Sequence, residues 1–318
     1  MTRVSNILVS VVYVFFDYYL GAYIMKLLGL ICALNEEHTL PSLIRQIEQL
    51  ERITTHNIHW VFIDDGSTDG TASVFKSARL RSKTVIRNVI NIGKVASLIS
   101  VFSTATESWI LCLDADVLIQ DINAFSVSLN QLEDVNDECG LVCGSVVCEA
   151  KPGLVANAER FGCETNMLLC DSEATFPSIM SCIGRCIVVS AEVAKAWLSG
   201  GPSISGVEDA ALYVSCVTKL RGVRRFPHLS VVYLPPLTLG DYVKQARRYR
   251  RTQAQFPTWF ELGHARWRRN VRALVLSMAS LDRIFGLCSW LFVRFIVNIL
   301  LSVTKDSGEW GTAKSSKS

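Results

Sequence analysis

From Leu28 onward, short apolar runs rich in β-branched residues alternate with stretches whose apolar residues recur at helical spacing. No other feature restricts the possible folds as strongly. Leu28–Leu34, Ile58–Ile63, Thr84–Ile90, Trp109–Leu113 and Leu141–Val147 read as strands. Between the first two, Leu40, Leu43, Ile44, Ile47 and Leu50 mark one face of a helix, and Pro41 suits its first turn. Such alternation implies an α/β protein whose central, mostly parallel sheet carries helices on both faces. Ligands of such sheets bind beyond the carboxyl ends of the strands.

Acidic residues fall at those ends. Asn35-Glu36-Glu37 follows the first run, Asp64-Asp65-Gly66-Ser67-Thr68-Asp69-Gly70-Thr71 the second, and Asp114-Ala115-Asp116 the fourth. One such cluster is adequately read as a capped turn, as Asp69-Gly70-Thr71 is. Three on one edge would repel one another and predict a cation-binding crevice. Asp114 and Asp116, one residue apart, share a face if the backbone there is extended. Hard oxygen ligands of this kind suit Mg2+ or Mn2+ bridging two phosphates.

Asn91-Ile92-Gly93-Lys94 follows the third run, where Lys94 is expected to add positive charge to a diphosphate and Gly93 to let backbone approach closely. The stretch lacks the spaced glycines of a phosphate-binding Walker loop, and no Gly-x-Gly-x-x-Gly follows the first strand. Gly206-Val207-Glu208-Asp209 precedes the helical run Ala210–Leu220, where the helix dipole also favours first-turn carboxylates. In the helix-like segment around Gln245-Ala246-Arg247-Arg248-Tyr249, the residues Gln245, Arg248 and Tyr249 share one face. Arg248 there suits a diphosphate, and the Tyr249 ring offers a stacking surface to a sugar or base.

This ordered set of motifs, from Asn35-Glu36-Glu37 through Glu208-Asp209 to Gln245…Arg248-Tyr249, resembles the family-two glycosyltransferases of GT-A fold. It is most similar to their membrane branch, which holds the cellulose, chitin, hyaluronan and poly-N-acetylglucosamine synthases. The resemblance spans about Leu28 to Thr252. It implies an inverting enzyme with a nucleotide-sugar donor, expected to be a uridine-diphosphate sugar, and a glycan or lipid acceptor. Glu36 and Asp65 would contact the nucleoside, Lys94 and Arg248 the diphosphate, and Asp116 the metal. Asp114, Gln245 and Tyr249 would complete the donor site. Asp209 would act as general base on the acceptor hydroxyl. Two positions depart from the synthase pattern: Val207 stands where Thr is usual and Tyr249 where Trp is usual. After the last motif about 65 residues remain, which suggests an interfacial helix and one span rather than a multi-helix channel.

Hydrophobic residues make up 50% of the chain and charged residues 19%, so long disordered stretches are not expected. The segment from Val4 to Met25 and that from Ile284 to Val303 are long and apolar enough to be membrane helices, the second interrupted by Arg294 and Asn298. Arg247, Arg248, Arg250, Arg251, Arg266, Arg268, Arg269 and Arg272 precede the second segment, which places the catalytic domain on the cytoplasmic side of a membrane. The net charge of +3 says nothing by itself about nucleic acid, and none is expected as a partner. Eleven cysteines without a zinc-ligand spacing suggest reduced, buried thiols. The expected division is a hydrophobic segment over 1–27, a catalytic unit over 28–252, a basic interfacial and membrane helix over 253–304, and a disordered tail over 305–318. The alternatives in view are a processive polysaccharide synthase subunit, a polyprenyl-phosphate sugar synthase and a non-catalytic sugar-nucleotide-binding module.

Overall fold

The computed structural model describes residues 25–135, 139–171, 178–200, 208–219, 221–264 and 281–303. The first expected membrane segment, Val207, the arginines from Arg266 to Arg272 and the C-terminal tail lie outside them. The elements begin β1 (Lys26–Ala33), α1 (Leu40–Ile53), β2 (Asn57–Asp64), α2 (Thr71–Ser77), β3 (Lys83–Arg87), α3 (Lys94–Phe102), β4 (Trp109–Asp114), β5 (Val117–Ile119) and α4 (Ile122–Asn130). They continue β6 (Cys139–Cys148), α5 (Leu154–Asp171), β7 (Cys186–Ser190), α6 (Ala191–Ser199), α7 (Glu208–Thr218), β8 (Gly222–Tyr233), α8 (Leu239–Gln255) and α9 (Leu281–Val303).

The eight strands form one sheet in the order β3-β2-β1-β4-β7-β6-β8-β5. The half from β3 to β4 is parallel, as the alternation predicts. Beyond it β7 runs antiparallel to both β4 and β6, β6 and β8 are parallel, and β5 closes the edge antiparallel to β8. Period-two alternation then divides the core. Leu27 and Ile31 of β1, Trp60 and Phe62 of β2 and Leu111 of β4 face the layer holding α1, α2 and α4. Leu28 and Leu30, Val61 and Ile63, and Ile110 face the opposite layer, holding α3, α6 and α7. Gly29 makes room on the first face, since a Cβ there would lie 2.3 Å from the Trp60 ring. Trp60, Phe62 and Phe75 stack in succession below it. Each such buried side chain contributes about 1.5–3 kcal/mol relative to exposure.

Helix α1 buries Leu40, Leu43, Ile44, Ile47 and Leu50 and carries Pro41 at its start. The third strand ends at Arg87, earlier than the run to Ile90 suggests, and Val89 is 97% exposed. The chain leaves the sheet there because residues 90–91 cross directly over Gly66, where a Cβ would lie 2.5 Å from backbone. Helix α9 lies against α5. Trp290 packs on Gly162 and Phe161, and Phe161 packs in turn on Gly286. Val293 and Val297 bury with Ala158 of α5 and Val243 of α8. Asn298 accepts from Arg250 Nη2 at 2.8 Å, so this polar interruption is exposed but paired with α8.

Candidate active site

The register aligns Ala33 with Asp64 and Cys32 with Asp114, so β1, β2 and β4 end on one level and bring the three acidic loops to one edge. Much of the acidity there is structural. Asn35, at φ 55°, accepts from Thr68 N at 2.9 Å while its own amide donates to Ser67 Oγ at 3.0 Å. Glu36 N donates to Thr71 Oγ1 at 2.8 Å, and Glu37 Oε2 accepts from Gly70 N at 2.7 Å. Asp69 accepts from Thr71 N at 3.0 Å in the turn read from sequence. Partial burial opposes its charge, but the Thr71 hydroxyl and nearby amides lower its pKa overall. Asp64 accepts from Ser67 N at 3.0 Å and meets Arg87 Nε at 3.2 Å. Glu36, 5% exposed, accepts from Thr39 Oγ1 at 2.6 Å and still lines the cavity described below.

Asp65 acts as an organiser of the following loop. Its Oδ1 accepts from Asn88 Nδ2 at 2.7 Å and Ile92 N at 3.1 Å, and its Oδ2 from Gly93 N at 2.9 Å. Gly93 has φ 90° and ψ 151°, a conformation open essentially to glycine alone. Backbone conformation alone therefore calls for glycine here, since none of the protein's own atoms lies within 4 Å of a Cβ at this position.

Lys94, which begins α3, donates from Nζ to Asp114 Oδ1 at 2.5 Å and also pairs with Glu208. Burial disfavours its charge, yet these two carboxylates raise its pKa well above the ordinary lysine value. Asp114 is likewise opposed by burial and held below the usual carboxylate range by Lys94 and Arg185, with Arg248 adding to the effect. The expected common face of Asp114 and Asp116 does not form by strand alternation, because β4 ends at Asp114 and residues 115–116 make a turn. Asp116 instead meets Arg185 Nη1 at 3.6 Å. Arg185 lies 3.8 Å over the Tyr233 ring, whose hydroxyl donates to Glu159 Oε1 at 2.6 Å. The acidic clusters are therefore met largely by the chain's own amides, Arg87, Lys94 and Arg185. Among the described residues no three His, Cys, Asp or Glu side chains form a metal-binding group.

Asp209 sits in the first turn of α7, its Oδ2 accepting from Gly184 N at 2.8 Å and its Oδ1 from Ala210 N at 2.6 Å. A side chain at Gly184 would press on both Glu208 and Asp209. Burial first, and Glu208 beside it second, push the Asp209 carboxyl up to about 6. From α8, Gln245 donates to Glu159 Oε1 at 3.1 Å, and the Tyr249 hydroxyl lies 3.3 Å from Met180 Sδ with its ring edge-on to Phe260. Glu36, Asp65, Lys94, Asp114, Asp116, Asp209, Gln245, Arg248 and Tyr249 all line one cavity of about 670 Å³. Its wall also holds Glu159, Arg185, Tyr233 and Arg294, which sequence reasoning missed as site residues. The signal available for Arg185 was Gly184-Arg185 breaking the apolar run that becomes β7. Glu159 carries no local signal.

Fold and site define an α/β protein with a ligand crevice at the carboxyl edge of a sheet, lined by both carboxylates and guanidinium groups. The model for Glycosyl transferase family 2 matches residues 30–189, and the chain belongs to that family. An undecaprenyl-phosphate 4-deoxy-4-formamido-L-arabinose transferase of Pseudomonas fluorescens is 34% identical over 86 residues, 26% of this chain and 25% of that protein. A prophage bactoprenol glucosyl transferase homolog of Escherichia coli is 27% identical over 95 residues, 29% of this chain and 31% of that protein. The matched stretch thus spans between a quarter and a third of these curated relatives. The structure is similar to that of a mannosyltransferase from Pyrobaculum calidifontis solved with GDP-Man and Mn2+, with a TM-score of 0.57 and 15% identity. That likeness covers 90% of this chain and 78% of the other. The fold is GT-A, with a mixed sheet and helices on both faces.

Proposed function

We propose that the protein moves a sugar from a nucleotide-diphosphate donor, a uridine-diphosphate sugar in our reading, to a lipid acceptor at a membrane, with inversion at the sugar. The observation that carries this is the single cavity that brings Asp209, Asp116 and Arg248 together. In this reading residues 28–252 are the catalytic unit and 253–304 its membrane-facing part. The lipid acceptor is supported by the names of the two curated relatives and by α9. Asp282–Val303 is the one helix among the described residues long and apolar enough to cross a membrane. The polymerising-synthase reading rests on Glu208-Asp209 together with Gln245, Arg248 and Tyr249, and α9 packed along the cavity favours transfer of single sugars.

Leaving-group charge grows on the donor diphosphate as the glycosidic bond breaks, so Arg248 and Arg185 stabilise that stage more than the ground state. Lys94 serves here mainly to hold Asp114 and Glu208 in place, since it is already paired with both. Asp116 fits a divalent cation: its carboxylate lines the cavity, and its contact with Arg185 is long at 3.6 Å. Bound there with donor phosphate oxygens as further ligands, Mg2+ or Mn2+ would supply charge neutralisation. Asp209 accepts the acceptor's proton as the acceptor oxygen attacks the sugar from the side opposite the diphosphate. Tyr249 offers its half-exposed ring to the sugar or base.

The test is a panel of nucleotide-diphosphate sugars, with and without Mn2+, assayed for nucleotide release in the presence of membrane lipid extract. Metal-dependent release stimulated by lipid is expected. Donor binding without any release would instead mark a sugar-nucleotide-binding module.

A further inference from the structure

Between Ile284 and Val303 the helix α9 carries a single charged residue, Arg294. At about 100° per residue, α9 presents three faces. Ser289, Val293 and Val297 are buried against the protein. Leu287, Trp290 and Arg294 line the cavity. Phe285, Leu291, Phe292, Phe295 and Ile299 form the outer face, each 48–64% exposed. Arg294 lies where the cavity face meets this outer apolar face, about 60° around the helix from Leu291. Its guanidinium stacks 4.7 Å over the Trp290 ring, which is itself wedged against Phe161 and Gly162.

Most other cations of the cavity already have a role. Lys94 pairs with Asp114 and Glu208, Lys244 pairs with Asp241 at 3.3 Å, and Arg185 and Arg248 are assigned above to the donor diphosphate. Among the described residues Arg294 makes no ion pair. A charge on an otherwise apolar helix is costly at a membrane unless an anion or water meets it. Position, charge and apolar surroundings together call for a ligand with an anionic head and an apolar tail.

We propose that Arg294 binds the phosphate headgroup of a lipid acceptor at the cavity mouth, with the lipid chain lying along the outer face formed by Leu291, Phe292 and Phe295. This rests on the transferase reading above and names the acceptor class for it. The headgroup enters sideways from the lipid surface, past the rim of α9, and reaches the Asp209 side of the cavity without its chain leaving apolar surroundings. Arg294 is a specificity-determining residue: it selects the acceptor and takes no part in breaking the donor bond.

The experiment compares the full chain with Arg294→Gln and Arg294→Lys in mixed micelles, using the donor chosen by the panel above. Farnesyl phosphate, uncharged farnesol and water-soluble glycerol phosphate serve as acceptor probes. For wild type, farnesyl phosphate is expected to be the preferred acceptor. For Arg294→Gln, its KM should rise tenfold or more, with donor KM and acceptor-free nucleotide release unchanged and with partial recovery in Arg294→Lys. Unchanged farnesyl phosphate KM in Arg294→Gln overturns the assignment while leaving the transferase reading intact. A parallel rise in donor KM also overturns it and moves Arg294 to the donor. Equal use of glycerol phosphate or farnesol by wild type rejects the lipid-phosphate class. Absence of nucleotide release with every donor removes the transferase reading itself.

Discussion

Asp209 is held by two backbone amides yet kept protonated more readily than an ordinary carboxylate, because burial and Glu208 both act against its charge. A base must be ionised to accept a proton, so the competent fraction falls as pH drops through about 6. Turnover at saturating substrates is expected to fall about tenfold per pH unit below that point and to level off above it. Asp209→Asn keeps the size of the side chain but cannot take up the proton. It should lower turnover about a hundredfold or more, with Mn2+-dependent donor affinity in calorimetric titration nearly unchanged. Near-normal turnover in this variant would mean that Asp209 only organises the start of α7. Asp116→Ala makes the opposite division: donor affinity in Mn2+ should drop to its metal-free level, and an unchanged affinity would remove Asp116 from the metal site.

The loop between β3 and α3 shows how an element can be fixed by one carboxylate and one glycine. Asp65 collects the amides of Ile92 and Gly93, and Gly93 supplies a backbone turn that side chains disfavour. Gly93→Ala should cost about 1–3 kcal/mol in chemical denaturation and displace Lys94 from Asp114, although open space surrounds the added methyl. A cost near zero would show that the loop adopts another backbone course. The parallel half of the sheet was legible because β1, β2 and β4 are continuous apolar runs and α1 is amphipathic. The other half was harder to read. β5 spans only Val117–Ile119, β7 only Cys186–Ser190, and β8 contains Arg224, Arg225 and Pro227, so none shows a clean period. The site followed the same division. Asp114, Asp116 and Asp209 announce themselves at element ends, where local spacing carries meaning. Arg185, Tyr233 and Glu159 form a chain of contacts across β7, β8 and α5 that no local spacing records.

For the molecule as a whole, exposed Arg250 of α8 bonds Asn298 of α9, a helix whose outer face is apolar, a combination suited to anionic lipid. Sedimentation with vesicles should therefore be stronger with anionic than with zwitterionic lipid and should weaken as salt rises. Salt-independent binding would leave only the apolar contribution. A reporter fused within the loop after α4 is expected to score as cytoplasmic, and an external signal would reverse the orientation.

In the reading proposed above, α9 is at once a wall of the cavity and a surface for lipid, which would make substrate supply a problem in two dimensions. The acceptor concentration that the enzyme meets would then be its mole fraction within the bilayer, while the donor arrives from three-dimensional solution. Adding inert phospholipid at constant total acceptor should slow transfer by surface dilution, with acceptor-free nucleotide release left unaltered.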